Sequence, residues 1–380
     1  MIQIEIDKKN IEFRDFHVSK IKVDIENSLI KKRNIHKKTD FEYQVLDWIH
    51  RNLKLILLSK VEKLRNTRDD FNSLLEGYNN VTYLNQINNI KKYEYEKEKK
   101  EVLINLLESS SIVYQKGKKK EEYLNLVWKN KASIKIDNVF KYRILKNRIN
   151  KIIKNIFIDF YEKRWDEIKD YDRYTFVTKH ELKTCPYCNM GYILISQKDE
   201  KGENGLRPDI DHFFPKSKYP YLAMSFYNLI PCCKVCNYSK GSKDTVEDGL
   251  LSPYEINSST FKLTYTPKNM NFLQIKKKKY NFNSFDIKFK KIDEHSNEYF
   301  KLDKLYEQHK DIVLELLIKR TIYSKSYTEE LKRNFHFTDD EIYRFLFCNY
   351  KESDEFNKRP LSKLINDIID ELGFKRVGLK

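Results

Sequence analysis

Two Cys-x-x-Cys pairs, Cys185-Pro-Tyr-Cys188 and Cys233-Lys-Val-Cys236, stand with 44 residues between Cys188 and Cys233. Each pair can offer two thiolates to one ion from a tight turn, and two such knuckles complete a tetrahedral four-cysteine zinc site. A redox Cys-x-x-Cys would sit beside a thioredoxin-like βαβ pattern, and none surrounds Cys185. Buried free cysteines would need this double spacing by chance. A zinc ion with four thiolate ligands has no open position, so it stabilises a fold and leaves catalysis to other groups. Cys232 is expected to be a core thiol, able to compete with Cys233 only by a slip in register. Cys348 stands alone, and six cysteines so unevenly placed do not make a disulfide scaffold.

The segment between the knuckles carries Pro208-Asp209-Ile210-Asp211-His212-Phe213-Phe214-Pro215-Lys216-Ser217, then Tyr227-Asn228-Leu229-Ile230. Cys236-Asn237-Tyr238-Ser239-Lys240-Gly241 follows. On these residues, from about Cys185 to Lys243, the sequence resembles the HNH endonuclease family. Its ββα-metal site has an Asp-His pair on the first strand, an Asn in the next loop and an Asn or His at the helix start. Phosphodiester hydrolysis needs an activated water, a cation against the charge developing on phosphate, and support for the leaving oxygen. His212 suits the general base, because imidazole accepts a proton near neutral pH. Asp211 and Asn237 offer hard oxygen atoms that suit Mg²⁺ or Mn²⁺. The resemblance implies that Asn228 orients the His212 ring, and Lys240 is a candidate phosphate contact. Asp209 shares a strand face with Asp211 and is expected to assist the catalytic metal directly or through water. Asn in place of the commoner His at position 237 favours Mg²⁺. The products implied are 5′-phosphate and 3′-hydroxyl ends.

One geometric demand follows. Alternation along a strand points Asp211 and His212 to opposite faces, yet both must meet one phosphate, so the strand must end or bulge at this point. The wording Asp-His-Phe-Phe-Pro-Lys-Ser-Lys and Asn-Leu-Ile-Pro-Cys-Cys is most similar to HNH proteins of bacterial antiphage defence, such as the Septu-type nuclease subunit. Such proteins work beside an ATPase partner. Two rival expectations are a restriction or mobile-element nuclease acting alone and a non-catalytic zinc-ribbon binding module.

A formal charge of +17 points to a polyanionic partner. Given the HNH resemblance, the expected partner is nucleic acid, DNA favoured over RNA. The charge signal is discounted by coding bias, since only Ala132 and Ala223 occur while Lys, Asn and Ile abound. Between residues 185 and 250, eight Lys and Arg are balanced by eight Asp and Glu. The excess therefore lies in the flanks, most densely at Lys276 to Lys279. No apolar run is long enough to cross a bilayer, and the first residues lack a basic stretch followed by an apolar one. The expectation is a cytoplasmic protein with no membrane partner.

The predicted fold class is α+β, a mostly helical chain with a zinc-framed ββα-metal core. Three regions are expected: a helical one over 1–175, the nuclease core over 176–252 and a mixed, then helical, one over 253–380. Helices are predicted from Phe41 to Lys63 and along Leu145, Ile149, Ile152, Ile153, Ile156 and Phe160. Lys91 to Lys100 and Lys116 to Lys120 read as loops or helix ends. Alternation from Tyr192 to Gln197, turn residues to Gly205 and an extended Arg207 to Phe214 predict a hairpin. Strands are expected around Phe261 to Tyr265 and Phe285 to Phe289, then helices from Leu302 and after Pro360.

Overall fold

The computed structural model describes residues 1–78, 133–196, 205–269 and 282–374. The lysine runs at 91–100, 116–120 and 276–279 lie outside these residues. Among the described residues helices dominate, joined by two small antiparallel sheets, so the fold is α+β. In chain order the helices α1 (Lys8–Arg33), α2 (Phe41–Leu58), α3 (Val61–Gly77), α4 (Ser133–Asp159) and α5 (Arg173–Lys179) come first. Strands β1 (Asp209–His212) and β2 (Leu229–Cys232) lead into α6 (Lys234–Lys240). Next are β3 (Lys262–Pro267), β4 (Phe285–Lys291), α7 (Glu294–Phe300), α8 (Leu302–Tyr306) and α9 (Lys310–Ile322). The last helices are α10 (Lys325–Phe335), α11 (Asp339–Phe347) and α12 (Ser362–Glu371). Among the described residues no helix is long and apolar enough to cross a membrane.

Contacts divide the chain into two units, with one division inside α1. The helical unit comprises Ile21–Arg164 with Tyr219–Leu222. Its core is set by helical periodicity: Val45, Leu46, Ile49, Leu53 and Ile56 of α2 are buried, as are Ile149, Ile153 and Ile156 of α4. The single helix expected from Phe41 to Lys63 is broken, because Ser59 and Lys60 are both extended. Tyr219–Leu222 belongs to this unit although it lies in the loop after β1. Tyr221 is buried 4.3 Å from Phe71, ring centre to ring centre.

The second unit comprises Met1–Lys20, Trp165–Lys218 and Ala223–Lys380. Trp165, Tyr171, Phe176 and Phe226 surround His17, with Phe13 packed on Phe176 and Phe226, and this aromatic cluster forms part of the unit's core. The β3–β4 pair bears out the alternation around Leu263 and Ile287, both buried. The expected hairpin from Tyr192 is corrected. Ser196 meets Leu206 at one bridge and Tyr192 meets Thr184, whereas β1 pairs along its length with β2. The partner register is Asp209 with Cys232, Ile210 with Pro231, Asp211 with Ile230 and His212 with Leu229. Both partners are short, and burial of every β2 residue makes this pairing the one that closes the core.

Candidate active site framed by four cysteines

The thiols of Cys185, Cys188, Cys233 and Cys236 lie within 4.8 Å of one another. Residues from two distant turns thus form one cluster, and its soft thiolate donors fit a metal ion such as zinc. Local geometry already serves the sulfurs: the Met190 amide donates to Cys188 Sγ at 3.4 Å and the Cys236 amide to Cys233 Sγ at 3.5 Å. Hydrogen bonds from Cys185, then Cys233 and Cys236, drive Cys188 far down toward the thiolate form. Cys232 is wholly buried, and burial pushes its thiol up, so it behaves as a core residue outside the cluster.

β1 and β2 lie between the knuckles, and α6, which carries Cys236 of the second pair, completes a ββα unit. β1 ends at His212, as the alternation of Asp211 and His212 requires. Asn228 holds the chain just beyond: its Oδ1 accepts the Phe214 amide at 2.6 Å, and its Nδ2 donates to the Phe214 carbonyl at 3.3 Å. Its own carbonyl accepts the Phe213 amide at 2.9 Å. Asn228 therefore fixes the backbone after His212, while the ring itself meets the Ala223 carbonyl, 3.1 Å from Nε2. With Nε2 donating to that carbonyl, Nδ1 carries the ring's lone pair. Burial, then the charges of Lys216 and Lys240, lower the His212 pKa to about 3, so the imidazole is neutral at pH 7.

The carboxylates meet α6. Asn237 Nδ2 donates to Asp209 Oδ2 at 2.9 Å, which leaves Asn237 Oδ1 as its donor atom toward a cation. Lys240, the candidate phosphate contact, is engaged inside the site. It is 1% exposed, and its ammonium donates to Asp211 Oδ1 at 2.9 Å and to the His212 carbonyl at 2.7 Å. The physical reason is charge compensation, since Asp211 is 4% exposed and a buried carboxylate needs a counter-ion. Gly241, at φ 56° and ψ −139°, ends α6 immediately after Lys240 in a region that side chains disfavour.

Two groups were not foreseen from sequence. Tyr187, inside the first knuckle, donates its hydroxyl to Asp211 Oδ2 at 2.6 Å. Burial, then the Asp211 charge, push its phenol up, so the proton stays on the tyrosine. The Ala223 carbonyl had no signal at all, because any residue supplies one. Asp211 and Asn237 carry the oxygen donors that a hard divalent cation prefers, and they fit such an ion by donor type. A cation reaching Asp211 would replace the Lys240 ammonium or use the remaining carboxylate lone pairs.

No family model matches the chain, and no solved structure matches it. Among curated proteins, the Septu protein PtuB of Bacillus thuringiensis is 40% identical over 45 residues. That stretch is 12% of this chain and 18% of that protein, so the chain matches much less than two thirds of its relative's length. The chain is thus similar, over a short stretch, to a Septu protein.

Proposed function

We propose that this protein is a metal-dependent HNH endonuclease that hydrolyses nucleic-acid phosphodiester bonds, DNA in preference to RNA. The observation that carries the reading is the ββα unit whose helix starts at the second cysteine pair. It sets a neutral His212 at the end of β1, and its helix supplies Asn237 and Lys240 to the carboxylates of Asp209 and Asp211. In this reading His212 takes the proton from the attacking water through Nδ1, and Ala223 keeps the ring in that tautomer. Asp211 and Asn237 hold Mg²⁺ or Mn²⁺, which when bound neutralises charge developing on the phosphate. Asp209 orients Asn237. Lys240 holds Asp211 in place, and the four cysteines bind a structural Zn²⁺. The short similarity to a Septu protein supports a role in antiphage defence. An ATPase partner subunit is proposed from the family resemblance alone.

The test is incubation of zinc-loaded protein with supercoiled DNA, with linear DNA and with RNA, in Mg²⁺ and in EDTA. His212→Ala should lose about 10²- to 10⁴-fold in rate with fold and binding retained, the usual worth of a positioned general base. Nicking by His212→Ala at the wild-type rate would remove the residue from its role. A second reading is a non-catalytic zinc-framed binding module. The buried Asp211–Lys240 ion pair favours it, and it expects binding without cleavage under every condition.

A further inference from the structure

We propose that Tyr187 is a positioning residue that couples the four-cysteine cluster to the metal-binding carboxylate of Asp211. This rests on the nuclease reading above. Tyr187 lies between two cluster thiols in Cys185-Pro-Tyr-Cys188. Its turn is pinned on both sides: the Asn189 amide donates to the Cys185 carbonyl at 2.7 Å and the Cys185 amide to the Gly191 carbonyl at 3.0 Å. The Ile2 amide donates to the Pro186 carbonyl at 2.9 Å. The ring is fully buried and stacked on Phe300, with centroids 4.6 Å apart and planes at 26°. From that fixed base the hydroxyl reaches Asp211 Oδ2 at 2.6 Å.

The other carboxylate oxygen is served from the second knuckle. Lys240, on Oδ1 at 2.9 Å, follows Cys236 by one helical turn of α6. Asp211 is therefore clamped between two groups, each carried by a segment that also bears cluster thiols. Gathering the four sulfurs brings Tyr187 and Lys240 to the same carboxylate, and separating them would release it. The two contacts do different work. Lys240 supplies a charge that a cation can displace, whereas the neutral Tyr187 hydroxyl can remain on Oδ2 and keep Oδ1 turned toward an incoming ion.

Mn²⁺ is the probe. Its binding to the zinc-loaded full chain is followed by electron paramagnetic resonance, and the signal absent from Asp211→Ala defines the site. Tyr187→Phe keeps the ring and removes only the hydroxyl. It should weaken this Mn²⁺ binding by about 10- to 100-fold, the usual cost of losing an outer-shell partner, with zinc content unchanged. Phe300→Leu, which leaves the hydroxyl but loosens the ring, should weaken it by a smaller factor, and this variant decides the matter if Tyr187→Phe loses zinc or fails to fold. Wild-type Mn²⁺ affinity in Tyr187→Phe, with only a lower melting temperature, would mean a packed ring and no positioning role. Wild-type protein that cleaves and binds Mn²⁺ through Asp211 keeps the nuclease reading standing in that case. If the wild type shows no Asp211-dependent Mn²⁺ binding, the metal assignment falls and this proposal falls with it.

Discussion

Three imidazoles, His17, His180 and His212, are buried in the same unit, and their surroundings give them different tasks. His212 is held by a carbonyl at the end of a strand. His17 is held by the Tyr171 hydroxyl and by the Met224 carbonyl, 2.9 Å from Nε2, and burial lowers its pKa to about 4. His180 has no hydrogen-bond partner for either ring nitrogen among the described residues. It stacks on Phe226 and is edged by Phe13 and Phe176, and burial, then the nearby His17, lower its pKa to about 3. All three folded pKa values lie below the ordinary 6.5, so above that pH neither state takes a proton and stability is unaffected. Below 6.5 the unfolded chain binds protons that the folded chain refuses, and stability falls as pH falls, by about 1.4 kcal/mol per unit for each histidine. The loss continues to about pH 4 for His17 and about pH 3 for His180. Melting curves should therefore drop between pH 6.5 and pH 5. His180→Phe should raise the melting temperature at pH 7 by relieving an unsatisfied polar ring, and it should make that acid slope shallower. An equal or steeper slope would assign the acid sensitivity elsewhere. On the proposed nuclease reading, a neutral His212 stays available as base down through pH 5, so the nicking rate should show no inflection near pH 6.5 from this residue.

At the scale of elements, the knuckles matter most. Structural zinc contributes about 10 to 16 kcal/mol apparent in small zinc modules, so if the cluster holds zinc as proposed, Cys188→Ser should abolish zinc binding and unfold the surrounding segment. Metal analysis with circular dichroism reads both, and an unchanged melting curve would rule out a structural ion. The Tyr219–Leu222 turn offers a second test. Tyr221 is buried against Phe71, and its hydroxyl has no partner among the described residues. Tyr221→Ala should cost roughly 3 to 5 kcal/mol, while Tyr221→Phe should be neutral or stabilising in a denaturant titration. These elements also mark what sequence could reveal. The cysteine spacing and the burial of α4 were legible because each follows from local periodicity. The break at Ser59–Lys60 was not, since Val61 and Leu64 continue the apolar spacing of Leu53 and Leu57 without a Gly or Pro. The partner of β1 was misread because alternation from Tyr192 also satisfies a hairpin pattern, and only tertiary packing selects β2. The Asp211–Lys240 pair joins positions 29 apart, and composition carries no sign of it.

For the whole molecule, charge and chemistry are separated along the chain. The segment from 185 to 250 is balanced, and the +17 excess lies outside it. If the chain binds nucleic acid as proposed, its affinity should come mainly from the flanks, with log K falling by about 0.9Z per decade of salt for Z neutralised phosphates on duplex DNA. The 380-residue chain should show a steep slope in a salt titration. Charge reversal of Lys276 to Lys279 should flatten that slope without changing the rate at saturating DNA, and an unaffected slope would exclude this run as a contact. The two knuckles also enclose Asp209, Asp211, His212 and Asn228 within the 44 residues that separate them. Opening the thiol cluster would release that entire stretch at once. Partial loss of the ion should accordingly divide the molecules into competent and silent populations, with no slowed class between them. On the proposed nuclease reading, the total cleavage rate in a chelator titration would fall in proportion to bound zinc, while the turnover of the molecules still loaded stayed constant.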